Sequence, residues 1–163
     1  MPDPTKVTYS SILESPIGSL RLESDGDNIT ALAFDATGSS SKDLPGILIE
    51  GRKQLQEYFN GKRREFDLPV AAGGTGFQQR VWAAVKAIPW GSVATYQGIA
   101  GQLGGTTVAR AVGTANGANP IPIIVPCHRV IGADGGLTGY VGGLRRKRWL
   151  LQHEGALQPD LFD

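Results

Sequence analysis

Residues 127–129 place a thiol, an imidazole and a guanidinium side by side, in the order Cys127, His128 and Arg129. Cys127 is the only cysteine among 163 residues, and His128 is one of two histidines. The nucleophilic form of cysteine is the thiolate, and because an ordinary thiol has a pKa of about 8.5, it needs a nearby base. His128 is the adjacent candidate, and Glu154 could orient its imidazole as the third member of a triad. The residue types therefore predict nucleophilic chemistry at the sulfur of Cys127.

The sequence leaves other interpretations of this cysteine open. The run before it, 121–126, is apolar, so Cys127 could instead be a small buried hydrophobe beside a histidine that makes only structural hydrogen bonds. A cysteine hydrolase or a redox enzyme would use the same residue types, but a redox dithiol needs a second cysteine. Neighbouring side chains on an extended segment point in opposite directions, so a bridging water would have to connect the thiol to the imidazole of His128.

The composition is that of a folded protein in a reducing compartment. Apolar residues are 40% of the chain and charged residues 19%, which suits one ordinary domain or two small ones. One cysteine cannot form an intrachain disulfide, and the first ten residues lack the pattern of a signal peptide. The longest apolar run, 121–126, is too short to span a bilayer. We therefore expect a cytoplasmic protein with no membrane partner and, because soft ligands are few, no metal and no cofactor.

Charge is distributed unevenly along the chain. From Phe77 to the C-terminus eight lysines and arginines face four carboxylates, a net charge of +4, whereas the preceding part carries −3. A mildly basic C-terminal half suits a polyanionic partner such as nucleic acid.

The elements that must position the cysteine begin with an N-terminal sheet. Residues 8–35 hold three strand-like runs separated by turn sequences at 15–18 and 25–28, which predicts three strands joined by tight turns. A helical pattern follows over 46–61 and ends at Gly61.

The sequence pattern changes after this helix. A further strand is predicted at 65–70, and the glycine-rich stretch 71–76 indicates a linker. We predict an α+β fold with two parts: an N-terminal module at 1–73, with a small antiparallel sheet and a helix, and a mostly helical C-terminal domain at 74–163.

Two short helices with a glycine turn between them are predicted after the linker, which is the outline of a helix-turn-helix. Thr95 is the predicted N-cap of the first helix at 96–103, and the second helix covers 108–120. The inner face of the second helix is predicted to consist of Val108, Ala111, Val112 and Ala115.

The outer face of the second helix carries two small residues four apart, Ala109 and Gly113, with Arg110 beside them. This spacing is typical of a helix packed closely against its own protein, the commoner case, and also of one shaped to enter a narrow groove with a long cation as a probe. In the final predicted helix the four cations Arg145–Arg148 lie in the first turns, where the helix dipole disfavours positive charge. A solvated surface run is the commoner explanation of such a sequence, but the unfavourable position favours a phosphate-facing role.

Several motifs together resemble one family. The sequence PCHRVIGADGGLTGYVGG, with TYQGIA and ARAVGTANGANPI before it and LLQHEG after it, strongly resembles the O6-alkylguanine-DNA alkyltransferases, also called methylated-DNA–protein-cysteine methyltransferases. The resemblance covers roughly 76–155 and extends more loosely through the N-terminal module. It implies a ribonuclease H-like N-terminal domain and a winged-helix-like C-terminal domain.

The resemblance also implies an activity. An O6-alkylguanine, and also an O4-alkylthymine, in double-stranded DNA would be flipped out through the minor groove, and its alkyl group transferred directly to Cys127. The product is a stable thioether, so each molecule would act once, as a suicide enzyme. A non-catalytic module that binds alkylated DNA is the alternative. The protein would act as a monomer, with cooperative self-contacts possible on DNA.

The resemblance assigns roles to the chemical centre position by position. Cys127 would be the alkyl acceptor, His128 the water-mediated base and Glu154 its orienting partner. Tyr96 would donate a hydrogen bond to guanine N3, and Arg110 would enter the duplex and fill the space that the flipped base leaves.

Further positions follow from the same resemblance. Asn119 would be a hinge, and the carbonyls of Cys127 and Val130 would accept from the exocyclic amine of guanine. The remaining expected positions are the DNA-facing residues Thr107, Ala109 and Gly113 and the pocket residues Pro122, Tyr140, Val141 and Asn116.

Two pocket positions depart from the family pattern. Val141 stands where many relatives have serine; its backbone N–H is retained, but its bulk could change which alkyl groups fit. Asn116 stands where some relatives carry an apolar residue against the flipped base. The cysteines that bind zinc in the N-terminal part of some relatives are absent from the sequence.

Overall fold

Three strands from Tyr9 to Phe34 form an antiparallel sheet in which each strand pairs with the next. A computed structural model describes residues 7–158; the first six residues of the predicted N-terminal module and the last five of the predicted C-terminal domain lie outside the described part. The strands are β1 (Tyr9–Ser15), β2 (Gly18–Ser24) and β3 (Ile29–Phe34), in the order β1-β2-β3. The predicted three-stranded sheet is confirmed.

Helix α1 (Gly46–Phe59) packs its apolar face on this sheet. Leu48, Leu55 and Tyr58 are fully buried on that face. A Cβ on Gly51 would lie 2.7 Å from the side chain of Leu22, so only glycine allows this close approach of helix and sheet.

The strand predicted at 65–70 is wrong, because only Val70 forms a bridge, with Ile29. The side-chain amide of Gln54 takes the place of a pairing strand: its Oε1 accepts from the N–H of Asp67 at 2.9 Å, and its Nε2 donates to the carbonyl of Asp67 at 3.1 Å. Pro69 also lacks the N–H that a ladder requires.

The chain divides into two compact units, Met1–Gly73 and Gly74–Asp163. Residues 75 and 76, which we assigned to a linker, instead belong to the start of helix α2 (Gly76–Lys86). Thr75 is its N-cap and forms a capping box with Gln78.

Helices dominate the second unit. Its helices after α2 are α3 (Tyr96–Leu103), a 3₁₀ turn at Thr106–Val108, α4 (Ala109–Gly117) and α5 (Leu144–His153). Two short strands, β4 (Ala94–Thr95) and β5 (Val130–Ile131), pair in parallel. The α+β fold, with a sheet and helix followed by a helical part, is confirmed.

The predicted pair of helices, α3 and α4, is present. Thr95 Oγ1 accepts from the N–H of Gly98 at 2.9 Å, so the predicted N-cap is confirmed. Gly104 and Gly105 have φ values of 142° and 115°, which explains the glycine turn. Trp82 Nε1 donates to the carbonyl of Ala115 at 2.8 Å and so ties α2 to α4.

The predicted inner face of α4 is only partly confirmed, because Val108 is the N-cap before the helix and is half-buried. Val112 and Ala115 are buried as expected, but Ala111 is exposed and Asn116 is buried in its place. A polar residue thus lies at the edge of the inner face, between Val112 and the side of the helix that carries Ala109 and Gly113. Among the described residues, no helix is both long and apolar enough to cross a membrane.

Candidate active site

Cys127 begins a single 3₁₀ turn, Cys127–Arg129, at the end of a run that is buried from 121 to 130. The extended segment that we expected here is wrong. Successive side chains in a 3₁₀ turn are about 120° apart, so the thiol and the imidazole diverge without pointing in opposite directions. Burial raises the pKa of Cys127 to about 11, although the Asn119 side chain and the charge of Lys147 lower it. The thiol is therefore protonated at neutral pH.

His128, Glu154 and Arg129 form a buried hydrogen-bonded network. His128 Nε2 donates to Glu154 Oε2 at 2.9 Å. Arg129 binds both oxygens of the same carboxylate, with Nε to Oε1 at 2.7 Å and Nη2 to Oε2 at 2.9 Å. Its remaining nitrogen, Nη1, donates to the carbonyl of Ile88 at 2.7 Å. The network joins the 3₁₀ turn to the end of α5 and to the segment after α2.

The charges in this network balance between Arg129 and Glu154. Burial alone would raise the pKa of Glu154, but the hydrogen bonds from His128 and Arg129 outweigh it and bring this pKa to about 2. Burial lowers the pKa of His128 and outweighs the opposing effect of Glu154. Because the ionised carboxylate is already paired with the guanidinium, the imidazole remains neutral.

This arrangement determines which nitrogen of His128 can act as a base. An ionised carboxylate can only accept, so the ring nitrogen facing it, Nε2, carries the hydrogen. Nδ1 then carries the lone pair, and it has no hydrogen-bond partner among the described residues although it is fully buried. The His128–Glu154 pair therefore presents Nδ1 of His128 as a buried proton acceptor, on the residue that follows Cys127 in the chain.

Asn119 closes the turn that leads to the thiol. Its Oδ1 accepts from the N–H of Ile121 at 3.0 Å and its Nδ2 donates to the carbonyl of Val125 at 2.9 Å. Inside this turn Ile123 has a φ of 74°, a left-handed conformation that costs a β-branched residue free energy. The buried side chain of Asn119 therefore holds a strained turn two residues before Cys127.

Lys147 corrects the expectation for the basic run 145–148. Its side chain is fully buried, and its Nζ donates to the carbonyls of Val130 at 2.7 Å and Thr138 at 2.8 Å. Burial lowers the pKa of Lys147 to about 8, and the charge of Cys127 opposes this shift. Lys147 lies one helical turn before Leu150 on the inner face of α5, so it faces the interior and not a phosphate. Arg145 is exposed, as expected for such a role.

A cavity of about 530 Å³ opens beside α3 and α4. The hydroxyl of Tyr96 accepts from Thr138 Oγ1 at 2.9 Å, so its own hydrogen stays available to another acceptor. Gly113 lies under the Tyr96 ring, since a Cβ there would be 3.7 Å from the ring. The cavity is lined by Tyr96, Gln97, Ala109, Arg110, Gly113, Thr114 and Ala133.

The other residues expected in the site do not line this cavity and differ in their exposure. Thr107 is exposed, as is Arg110 of the lining, and Val141 is 56% exposed. Pro122 and Val130 are buried in the run before and after the thiol. Tyr140 lies edge-on to His128, with ring centroids 6.4 Å apart, and burial raises its pKa well above the ordinary value.

Arg129 and Thr138 had no predicted role in the site, and Lys147 had been predicted to face a phosphate. Arg129 stood next to the thiol without an assigned partner, and no local pattern indicates its contact with Glu154. The helical spacing of Lys147 with Leu150 was a readable signal for burial. Thr138 had no signal of its own. Among the described residues no group of three or more His, Cys, Asp or Glu could hold a metal ion.

Comparison with known protein families assigns both units of the chain. The family model described as 6-O-methylguanine DNA methyltransferase, DNA binding domain, matches residues 76–156, and the one described as the ribonuclease-like domain of the same protein matches residues 8–72. The chain therefore belongs to the 6-O-methylguanine DNA methyltransferase family, as its motifs indicated.

The chain is also similar to individual relatives over nearly its whole length. The chain is 47% identical over 159 residues to the methylated-DNA–protein-cysteine methyltransferase of Mycobacterium tuberculosis, covering 93% of this chain and 96% of the relative. It is similar to the crystal structure of M. tuberculosis O6-methylguanine methyltransferase, with a TM-score of 0.83, 46% identity and coverage of 96% and 100%. A structure of M. tuberculosis OGT in complex with DNA aligns with a TM-score of 0.82, 48% identity and coverage of 90% and 92%.

Proposed function

We propose that this protein repairs DNA by moving an alkyl group from the O6 atom of guanine in duplex DNA to the sulfur of Cys127. The observation that carries the proposal is the buried thiol next to a neutral imidazole, whose orientation an ionised carboxylate maintains. Membership of the 6-O-methylguanine DNA methyltransferase family supports it, because relatives with 47% identity are named for this transfer.

The chemical step begins with loss of the thiol proton. His128 Nδ1 accepts this proton through a bridging water while Nε2 stays hydrogen-bonded to Glu154. The thiolate attacks the alkyl carbon, the sulfur–carbon bond forms and the carbon–O6 bond breaks with its electrons going to guanine. The guanine anion then takes up a proton, and the hydroxyl of Tyr96 reduces its charge by donating to N3.

The chemical stability of the alkylated cysteine limits each protein molecule to one transfer. A thioether is not hydrolysed by water under ordinary conditions, and a sulfur that carries an alkyl group is no longer a nucleophile. Each molecule therefore accepts one alkyl group. This stoichiometry separates the proposal from a cysteine hydrolase, which would turn over repeatedly.

DNA is held by the second unit, which we propose as the DNA-binding and alkyl-acceptor domain at 74–163. The cavity beside α3 and α4 receives the flipped base, and the small residues Ala109 and Gly113 let α4 enter the minor groove. Arg110 is exposed, and no described residue pairs with its guanidinium, which leaves it able to fill the space in the duplex. The same proposal includes transfer from O4-alkylthymine. It also includes action as a monomer, with cooperative self-contacts on DNA.

The test is a single-turnover reaction with an oligonucleotide duplex that contains one O6-methylguanine. Mass spectrometry should find one methyl group per protein, located on the Cys127 peptide, and the reaction should stop at one equivalent. Cys127→Ser should still bind the duplex but leave the lesion intact. If wild-type protein binds the lesion tightly and the methyl group stays on the DNA, the protein is a lesion-binding module and the proposal is wrong.

A further inference from the structure

Asn116 carries a buried acceptor that the chemistry above does not use. The residue is 3% exposed, and its Nδ2 donates to the carbonyl of Cys127 at 3.2 Å. Because a carbonyl oxygen can only accept, this contact establishes which amide atom is the nitrogen, and Oδ1 points elsewhere. Oδ1 has no partner among the described residues although it is buried. Buried acceptors are rarely left without a donor, because the loss of hydration then goes uncompensated.

Asn116 is not part of the cavity lining, but its spacing on α4 relates it to two residues that are. Ala109, Gly113 and Asn116 follow one another at i, i+4 and i+7, so they share one face of the helix. The first two line the cavity that also borders Tyr96. Asn116 lies one turn further along this face, at the buried end of the helix, where it contacts the backbone of the alkyl acceptor.

The carbonyls expected to bind the amine of guanine are already engaged by the protein. The carbonyl of Cys127 accepts from the N–H of Val130 and from Asn116 Nδ2. The carbonyl of Val130 accepts from Lys147 Nζ at 2.7 Å. A carbonyl oxygen has two lone pairs, so the carbonyl of Cys127 has no further capacity. Asn116 Oδ1 is the acceptor in this group that remains wholly unengaged.

The chemistry of the lesion identifies the donor. Alkylation at O6 removes the hydrogen from N1 of guanine, so the 2-amino group is the only donor left on its Watson–Crick edge. O4-alkylthymine has lost the hydrogen of N3 and has no donor on the corresponding edge. An unengaged acceptor that faces this edge of the flipped base would thus favour the guanine lesion over the thymine lesion.

We propose that Asn116 Oδ1 accepts a hydrogen bond from the 2-amino group of the flipped O6-alkylguanine and is a specificity-determining residue for the guanine lesion. This inference rests on the proposed function and adds to it the means by which the base is recognised. Some relatives carry an apolar residue at position 116, which cannot accept a hydrogen bond. The preference for the 2-amino group is therefore a property of this chain and is not required by the transfer chemistry.

The experiment compares single-turnover transfer rates on duplexes that contain O6-methylguanine or O6-methylhypoxanthine, which lacks the 2-amino group. For wild-type protein, loss of that group should slow transfer about ten- to a hundredfold, as expected for an unsatisfied buried polar group. For Asn116→Leu the two rates should differ far less. A duplex with O4-methylthymine, which has no donor to lose, should react no more slowly with the variant than with wild type.

Two further variants separate specificity from damage to the fold. Asn116→Asp keeps an acceptor oxygen, so the preference for the 2-amino group should persist even though the added charge slows transfer. Asn119→Ser is the matched control: Asn119 is an equally buried asparagine, but both ends of its amide bind backbone groups. It should slow both substrates by the same factor. The Tm of Asn116→Leu should stay close to that of wild type: the variant removes an unsatisfied buried oxygen, which offsets the lost bond from Nδ2 to the carbonyl of Cys127, and that carbonyl keeps the N–H of Val130.

The outcomes distinguish the two proposals. If Asn116→Leu keeps the wild-type ratio between the two bases, or if Asn116→Asp loses it, the inference about Asn116 is wrong while transfer itself stands. If wild-type protein transfers no methyl group from any of the three lesions, the proposed function fails and the inference fails with it.

Discussion

At the scale of single residues, a buried ion pair determines the state of the base. Removing two charges from water is costly, and Arg129 compensates Glu154 by two direct hydrogen bonds at 2.7 and 2.9 Å. Because these charges cancel, the nearby imidazole of His128 need not be charged. Its burial then favours the neutral form, which is the form that can accept a proton.

The neutral state of His128 predicts an unusual pH dependence of transfer. Since the pKa of His128 in the folded protein is lower than its ordinary value of 6.5, protonation of the base begins only below that value. The single-turnover rate on O6-methylguanine DNA should therefore stay level as the pH falls through 6.5 and should decrease only at more acidic pH. Rates measured by rapid quench across this range test it. A decline with its midpoint at 6.5 would contradict a buried, neutral imidazole.

Lys147 should affect the thiol from within the fold. It is a cation that lowers the pKa of Cys127, and its Nζ holds the carbonyls of Val130 and Thr138. Because Lys147, with a pKa of about 8, is still mostly protonated at neutral pH, Lys147→Met should lower the thiolate fraction of Cys127 there. A rise of one pKa unit lowers the thiolate fraction, and with it the rate of alkylation by iodoacetamide, about tenfold.

The pH dependence of iodoacetamide alkylation and of thiolate absorbance measures this effect. Arg145→Met is the matched control, because it removes an exposed cation of the same run. Equal thiol reactivity in the two variants would show that Lys147 does not act on Cys127.

At the scale of elements, α4 combines two surfaces that serve different purposes. Its inner face is secured by Val112 and by the hydrogen bond from Trp82 to Ala115. Its other face carries Gly113 beneath the Tyr96 ring, where a side chain longer than a methyl group would have to enter the cavity. The small residue therefore keeps open the space into which we propose that the base is flipped.

Gly113→Leu should block transfer without unfolding the protein. Leucine is a better helix former than glycine by roughly 0.8–1 kcal/mol, so stability against urea should not fall. The leucine side chain would occupy the cavity next to Tyr96, and the transfer rate should drop by about a hundredfold, as expected when a substrate is displaced from its reactive position. Gly101→Leu is the control, because Gly101 lies on α3 with no atom near its Cβ position. Similar rates for the two variants would contradict entry of the base beside Gly113.

At the scale of the whole molecule, the chemistry lies in the second unit, which is also the part with a net positive charge. Every residue of the site lies between 96 and 154, inside Gly74–Asp163. The net charge of +4 from Phe77 onward contrasts with −3 before it. A polyanion should therefore be attracted to the second unit and not to the first.

Binding of duplex DNA should weaken with salt, and exposed cations at the start of α5 should account for part of the effect. Each phosphate contact contributes about −0.9 to the slope of log affinity against log salt concentration. Replacing Arg145 and Arg148 together with alanine should reduce the magnitude of the slope by about 2. Fluorescence anisotropy with undamaged duplexes of different sequence measures the slope, which should not depend on the sequence. Lys53→Ala, on α1 of the first unit, should leave the salt slope unchanged. If the double variant also has the wild-type slope, Arg145 and Arg148 make no phosphate contacts.

The sequence by itself determined the features that arise within a few residues of one another. The three strands follow from alternation and turn residues, and the cap at Thr95 follows from one hydroxyl next to a helical pattern. Both are local because a hydrogen bond in a turn or cap joins residues only a few positions apart. The motifs around Cys127 likewise indicated the family without knowledge of any contact.

Only the tertiary structure decided how distant groups satisfy one another. It brought Arg129 to the carbonyl of Ile88, 41 residues away, and buried Lys147 beneath a loop that the sequence left unassigned. It replaced a predicted strand by the side chain of Gln54, and it left Asn116 Oδ1 without a partner among the residues that the structure describes. Buried charges and amides must find partners wherever the fold provides them, and no local periodicity specifies which distant backbone group that will be.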